Sequence, residues 1–351
     1  MPQRVFFFDL LRAIAAVAVI AIHVLAPYRD RLGEIPFVEW LIAVTVNGAS
    51  RWAVPVFIMI SGALMLSDRR PFELRYYLER RLGKVLIPFV VWSLFYAVLS
   101  GWSSTGFDSA ITWQTVLSSP QHETYYHLGF FYYFIPLYFV IPFLQWGVQR
   151  WDGSALYAFV AVWLLTTMLY LLRLDGPWSH DLWLFSGYLP LGYLLYQKCS
   201  LKRGSVLVIA LMGLVSLYIT VQAVVTLSLV ENEYSVGRWF SYKTINVVLM
   251  ASMVFILARA FASKLPLSWQ QGVSFVSRHS LGIYLLHPIS LWPMKAYGWW
   301  QGHPAWVIPL WVLLSGVGSL WVSWWVSRSP KTRWLAGLNV LVAKCKNCVP
   351  R

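Results

Sequence analysis

Acidic side chains are scarce in this sequence. Only 14 of its 351 residues are Asp or Glu, and all charged residues together make up 12%, about half the share of a soluble domain. So few charges cannot cover a globule of this size with water-seeking groups, which excludes an ordinary soluble enzyme. Proton-driven pumps line their pathway with several intramembrane acids, whereas Asp9 is the one clear acid inside a long apolar run here. Cysteine is limited to Cys199, Cys345 and Cys348, too few for a disulfide framework. Cys345 and Cys348 form a lone CxxC in KCKNCVPR; with no further ligands beside it, a metal site is not expected. No Walker A, HExxH or GxSxG sequence is present, which sets aside P-loop ATPases, zinc proteases and serine hydrolases. No internal repeat is visible either.

What fills the chain instead is apolar. Hydrophobic residues make up 58%, with 21 Trp, 19 Tyr and 20 Phe, and the mean hydropathy is +0.59. A transmembrane helix needs roughly 20 such residues. Suitable windows lie at 5–27, 38–66, 84–101, 126–147, 154–173, 182–197, 204–229, 239–262, 279–298 and 305–327, of which 182–197 is short. The expected fold is therefore all-α: a polytopic membrane bundle of about ten helices. Residues 1–327 would form the transmembrane domain and 328–351 a basic tail, in which RWLAGLNVLVAK has the make-up of an interfacial helix. The first apolar run is too long for a cleaved signal peptide and carries Asp9 and Arg12, so it is expected to stay.

The net charge of +14 suggests nucleic acid until its placement is examined. With the N-terminus inside, 20 of the 28 Lys and Arg residues fall in inner segments. That asymmetry puts both termini in the cytoplasm and leaves no need for a nucleic-acid partner; attraction to anionic membrane lipid is its natural by-product. The longest outer loop, 102–125, is rich in Ser, Thr and Trp and is a candidate surface for an acceptor.

The first helix poses the functional question. In FDLLRAIAAVAVIAIHVLAP, residues 8–27, Arg12 and His23 are eleven positions apart, which returns them to one face with about 16 Å between them along the axis. Asp9 precedes Arg12 by three and can pair with it. One stripe thus holds a fixed cation near the cytoplasm and a proton-transfer group far across the membrane. The blander account has Arg12 snorkelling and His23 sitting neutral at the interface. A charge at mid-membrane costs roughly 2.5–3.5 kcal/mol on insertion scales, which argues against ornament.

Other spans carry similar groups. SRWAVPVFIMISGALML brings in Arg51, Ser61 and Gly62, the last two suited simply to close helix packing. YYLERRLGKVLIP places Arg80, Arg81 and Lys84 at the inner mouth of the third helix, either as topology anchors or as a phosphate clamp. His127 opens the fourth helix among aromatics, and Tyr284 and His287 lie in the ninth. A buried histidine there is more often a helix–helix hydrogen-bond partner than a catalyst. Each signal alone is weak, and their coincidence carries the argument.

Together these segments resemble the membrane-bound acyltransferase 3 family. The Arg-x10-His opening in FDLLRAIAAVAVIAIH, the Ser-Gly of VPVFIMISG, the basic entry RRLGKVLIP, YYHLGFFYYFIPLY and LGIYLLHP follow the family's order over about residues 6–326. The likeness is to members that O-acetylate glycan precursors, such as the GlcNAc of enterobacterial common antigen. It implies a multi-pass protein of the bacterial inner membrane that takes acetyl groups from cytoplasmic acetyl-CoA, a co-substrate rather than a bound cofactor. The acceptor would be a hydroxyl of a cell-surface glycan or lipid-linked sugar. Two departures stand out: Lys84 replaces a second Arg, losing its bidentate fork, and HLGFF replaces the usual His-Leu-Trp start. No soluble hydrolase domain follows the tenth helix.

The resemblance assigns Arg12 and His23 to catalysis, and Asp9, three residues before Arg12, would orient it. Arg12, Arg80, Arg81 and Lys84 would hold the phosphates of coenzyme A. Ser61, His127, Tyr284, His287 and Arg51 would position substrate. Imidazole suits a general base at neutral pH, and an acetyl-histidine intermediate is an open alternative to direct transfer. The runner-up is a transporter or flippase for a glycan, with the polar stripe lining its path. A binding or sensory protein without catalysis has no positive feature in its favour.

Overall fold

The computed structural model describes residues 5–103, 106–151 and 153–338. Arg4, Cys345, Cys348 and most of the basic tail lie outside the described residues. Among the described residues the molecule is a helical bundle whose one sheet is a pair of antiparallel two-residue strands, Trp102–Ser103 and Gly106–Phe107. Eight helices among these residues are long and apolar enough to cross a membrane. The chain is therefore an all-α polytopic membrane protein.

The first span, α1 (Phe6–Val24), ends just ahead of Pro27, which starts a separate short turn at Ala26–Arg29. The expected span 38–66 is present as Phe37–Leu66, with a turn at Arg51 and Trp52 that divides it into α2 (Phe37–Ser50) and α3 (Ala53–Leu66). Pro55 explains the break, because its ring excludes a helical carbonyl four residues back, at Arg51. The third span begins earlier than expected, with a turn at Leu74–Tyr77 and a π-helical turn at Leu78–Leu82 ahead of α4 (Gly83–Ser100). Then come α5 (Gly129–Arg150) and α6 (Gly153–Leu171). The outer loop contains an extra helix, Ser109–Ser118, whose start is capped by the Asp108 carboxylate accepting from the Ala110 amide at 2.8 Å.

The expected sixth helix is broken at Gly187 into Asp181–Ser186 and α7 (Tyr188–Gln197). Next are α8 (Arg203–Glu231) and α9 (Ile245–Phe261). The short α10 (Leu267–Arg278), not foreseen from the sequence, is largely exposed with only Ser277 buried. It leads into α11 (Ser280–Ala296) and α12 (Pro304–Ser327). The ten windows expected become eight full-length candidates plus α7 and α11, which at 10 and 17 residues are shorter. α7 is mostly buried, as is α11 as far as Pro288, so protein rather than lipid satisfies those surfaces.

The interior is organised round α1, which α2, α3, α9, α10, α11 and α12 all touch. Its buried face is lined by Ala13, Ala15, Ala16, Ala18 and Ala21, small residues that let helices approach closely where lipid supplies no hydrophobic drive. α3 and α7 approach each other backbone to backbone. A Cβ on Gly62 would lie 2.1 Å from the Leu189 carbonyl oxygen, and one on Gly192 would lie 2.2 Å from that of Met59. The packing role expected of Gly62 is thus real. Past α12, Leu335 accepts a hydrogen bond from Trp92 at 2.9 Å, so the first residues after 327 lie against α4.

Candidate active site

The residues picked out along the chain gather into two adjoining places. The first is a cavity of about 380 Å³ walled by Arg12, Arg80, Arg81 and Lys84, with Ser61 from α3 and Ser280 and Tyr284 from α11. Its remaining walls are mainly aromatic and aliphatic, and among the described residues lining it none is acidic. Four cations converging on an apolar cavity make an anion site. The π turn is what delivers the arginines of the third span: its extra residue per turn reduces the angle between successive side chains, so Arg80 and Arg81 reach the same cavity as Lys84. Ser61 faces the cavity while its hydroxyl donates to the Phe57 carbonyl of its own helix at 3.1 Å.

The carboxylates stand behind the cations. Asp9, 1% exposed, lies 3.6 Å from Arg12 and accepts from Ser277 at 2.8 Å and from Ser274 at 3.2 Å. The expected pair therefore forms, and α10 exists to complete it: two serines one turn apart clamp the buried acid. Removing that acceptor strands several donors, so Asp9→Ala should lower stability by about 1–3 kcal/mol. A thermal melt of the purified variant in detergent checks this; an unchanged midpoint would show the clamp to be idle.

Asp68 plays the matching part for Arg81, at 3.2 Å, and also accepts from Arg70 Nε at 2.9 Å. Its backbone carbonyl accepts from Gln145 at 2.6 Å, which ties the 67–73 segment to α5. The hydrogen bonds from Arg70, with Arg81 behind, hold the Asp68 carboxyl down from the usual 3.8 to about 2. A carboxyl lowered on folding contributes stability that is complete above its ordinary value and is lost as pH falls through the folded one. Hydrogen exchange in residues 67–73 should therefore quicken between pH 4 and about 2. Asp68→Asn should exchange fast throughout, with no such step; a step of equal size in that variant would assign it to another group.

The second place is a cluster of rings at the other end of α1. His23 stacks on His287 with centroids 5.2 Å apart and meets Tyr126 at 4.7 Å. His127 closes the group at 5.3 Å from His287. Lys295 lies over the Tyr126 ring at 4.4 Å. His127 and His287 are buried, while His23 is only half-buried. His287 Nδ1 is 2.7 Å from the Tyr284 carbonyl. A carbonyl can only accept, so Nδ1 carries the proton and Nε2 presents a lone pair. That Nε2 is buried without a hydrogen-bond partner; His127 lies beside the Leu285 carbonyl, which also accepts from the Tyr96 hydroxyl at 2.6 Å. Unpaired buried nitrogens are costly in a packed interior and recur where a group must be free to meet a substrate.

Tyr284 joins the two places. It lines the cationic cavity, its hydroxyl donates to the His127 carbonyl, and its own carbonyl anchors His287. Arg51 sits at the α2–α3 break over the rings of Phe240 and Tyr242, at 5.1 and 5.6 Å, near enough for its charge to act on His23. Sequence reasoning missed Tyr126, Lys295, Ser280 and Asp68. Lys295 alone had left a sign, as a cation inside the ninth apolar window. Among the described residues no three His, Cys, Asp or Glu side chains are grouped to hold a metal ion.

A family model described as an acyltransferase domain matches residues 5–328. No curated protein and no solved structure matches the chain.

Proposed function

Since the chain belongs to the acyltransferase family and is a membrane enzyme that transfers acyl groups, we propose that it moves an acetyl group from cytoplasmic acetyl-CoA to a hydroxyl of a cell-surface glycan or lipid-linked sugar precursor. The observation that carries this reading is the cavity with four cations and no acid, joined through Tyr284 to three histidines. A coenzyme A thioester has the complementary shape: an anionic phosphate end and a long, thin arm with the reactive carbonyl at its tip. The distribution of Lys and Arg supports a cytoplasmic position for the cationic cavity, and the membrane of this proposal is the bacterial inner one.

In the proposed reaction Arg12, Arg80, Arg81 and Lys84 hold the phosphates, and the arm runs past Ser61 and Tyr284 toward the histidines. Of the three rings His23 alone keeps accessible surface, so it meets the acceptor hydroxyl as general base. The hydroxyl oxygen attacks the thioester carbonyl as its proton passes to His23. The carbon–sulfur bond then breaks, and the imidazolium returns the proton to the departing thiolate. Lys295 beside Tyr126 and the fixed ring of His287 supply positive charge and order around the developing oxyanion.

The test uses purified protein in nanodiscs with radiolabelled acetyl-CoA, following CoA release and protein-bound label. Arg12→Ala should weaken binding. Label that accumulates on the wild type without acceptor and vanishes in His23→Ala would move the mechanism to an acetyl-histidine intermediate. A folded protein that binds no acyl-CoA would refute the proposal.

A further inference from the structure

A second cavity, of about 340 Å³, adjoins the cationic one and shares Met65 and Arg81 with it. It is built by the segment between α3 and the π turn, and its character differs. Phe72 and Tyr76 are exposed rings on its wall, 52% and 39% accessible. Arg70 lies over the Tyr76 ring at 5.2 Å and bonds Asp68, which in turn reaches Arg81. Tyr77 backs the cavity, its hydroxyl donating to the Tyr138 carbonyl at 2.6 Å. Gln145 closes it from α5 and holds the Asp68 carbonyl.

We infer that this cavity is the binding site for the nucleoside end of the acyl donor, an adenine ring stacked on Phe72 and Tyr76 with its ribose phosphate on Arg70. The inference rests on the acyl-CoA reading and deepens it. Three features point to a purine nucleotide. Flat rings with one face open offer stacking platforms, which aliphatic walls would not. Guanidinium groups beside those rings suit phosphate on a ribose. Amide and carboxylate oxygens from Gln145, Asp68 and Glu73 give acceptors for an exocyclic amine. The volume lies within the range of small-molecule pockets.

Continuity at Arg81 then orders the donor along the protein. The diphosphate would sit at the shared wall, the nucleoside in the smaller cavity and the pantetheine arm in the larger. Arg81 is held by Asp68; a bound diphosphate would take Asp68's place on that guanidinium. The same geometry accounts for Asp68 and Glu73 bordering the smaller cavity while no acid is among the described residues lining the larger.

The experiment compares two donors on the full-length protein in nanodiscs: acetyl-CoA, and S-acetyl-4′-phosphopantetheine, which lacks the nucleotide. For Tyr76→Ala and Phe72→Ala, KM for acetyl-CoA should rise about ten- to hundredfold. Their kcat, and KM for the truncated donor, should stay at the wild-type level, and Tyr76→Phe should restore the acetyl-CoA value. Adenosine 3′,5′-bisphosphate should compete with acetyl-CoA in the wild type and lose its hold in the Phe72→Ala/Tyr76→Ala double variant. Equal effects on both donors, or no effect on either, would overturn the inference; the latter would leave these rings as anchors at the membrane boundary. If the wild type transfers no acetyl group, the proposed function fails separately. Direct binding of labelled adenosine 3′,5′-bisphosphate to wild type and double variant then decides the site, with equal binding by both counting against it.

Discussion

His23→Ala should cost about two to four orders of magnitude in acyl transfer while the protein stays folded. The ring is half-buried and contacts Tyr126 and His287 through its faces, so its removal breaks packing more than hydrogen bonds. His287→Ala is expected to behave differently. It deletes a wholly buried ring and the hydrogen bond to the Tyr284 carbonyl, so activity and stability should fall together, the latter by about 1–3 kcal/mol. Radiolabelled transfer and thermal melts on both variants separate the two roles. Near-normal turnover in His23→Ala would sink the base assignment. If His287→Ala were then inactive yet folded, the proton would pass to Nε2 of His287 instead.

The second large effect is structural. Gly62→Ala puts a methyl 2.1 Å from the Leu189 carbonyl oxygen and 2.5 Å from its Cα, distances no real carbon occupies. The obstruction is backbone, so no rotamer change relieves it; α3 and α7 must separate. Gly192→Ala forces the same separation from the other helix, against Met59. Overpacking costs about 1–3 kcal/mol in forgiving sites and more where backbone is the obstacle. Both variants should melt well below wild type and accumulate poorly, and Ser61, next to Gly62, should lose its place in the cavity. Gly204→Ala and Gly272→Ala are the controls, since nothing lies within 4 Å of a Cβ at either position. Wild-type melting of Gly62→Ala would mean that α3 and α7 are not packed in this way.

Much of the candidate site was legible as spacing. Arg12 and His23 could be assigned to one helical face because α-helical periodicity requires no tertiary information. The basic run 80–84 was visible as charge at the mouth of an apolar window, and His127, Tyr284 and His287 as polar interruptions. What spacing could not provide was grouping. Nothing in the sequence says that Tyr284 borders both the cavity and the histidines, or that Arg51 lies over Phe240 and Tyr242. Asp68 falls between two apolar windows, and only its three-way link to Arg70, Arg81 and Gln145 gives it a part. The π turn escaped because it depends on one extra residue per turn, which hydropathy does not register.

By itself the sequence determined the class of molecule, for a thermodynamic reason. Apolar segments of this length find no stable place in water, and a spanning segment in lipid must satisfy its backbone internally, which makes it a helix. It did not determine which helices face lipid and which lie inside. Spans 6–24 and 203–231 have nearly equal hydropathy, 2.1 and 2.2, yet 72% of the first is buried and 22% of the second. Lipid tails and a protein interior are equally apolar, so transfer energy cannot sort helices between them. Sorting falls to close packing and to polar groups that need partners. The alanine face of α1 and the serines of α10 that clamp Asp9 are what place it at the centre. Only the assembled bundle brings those small surfaces and polar atoms together.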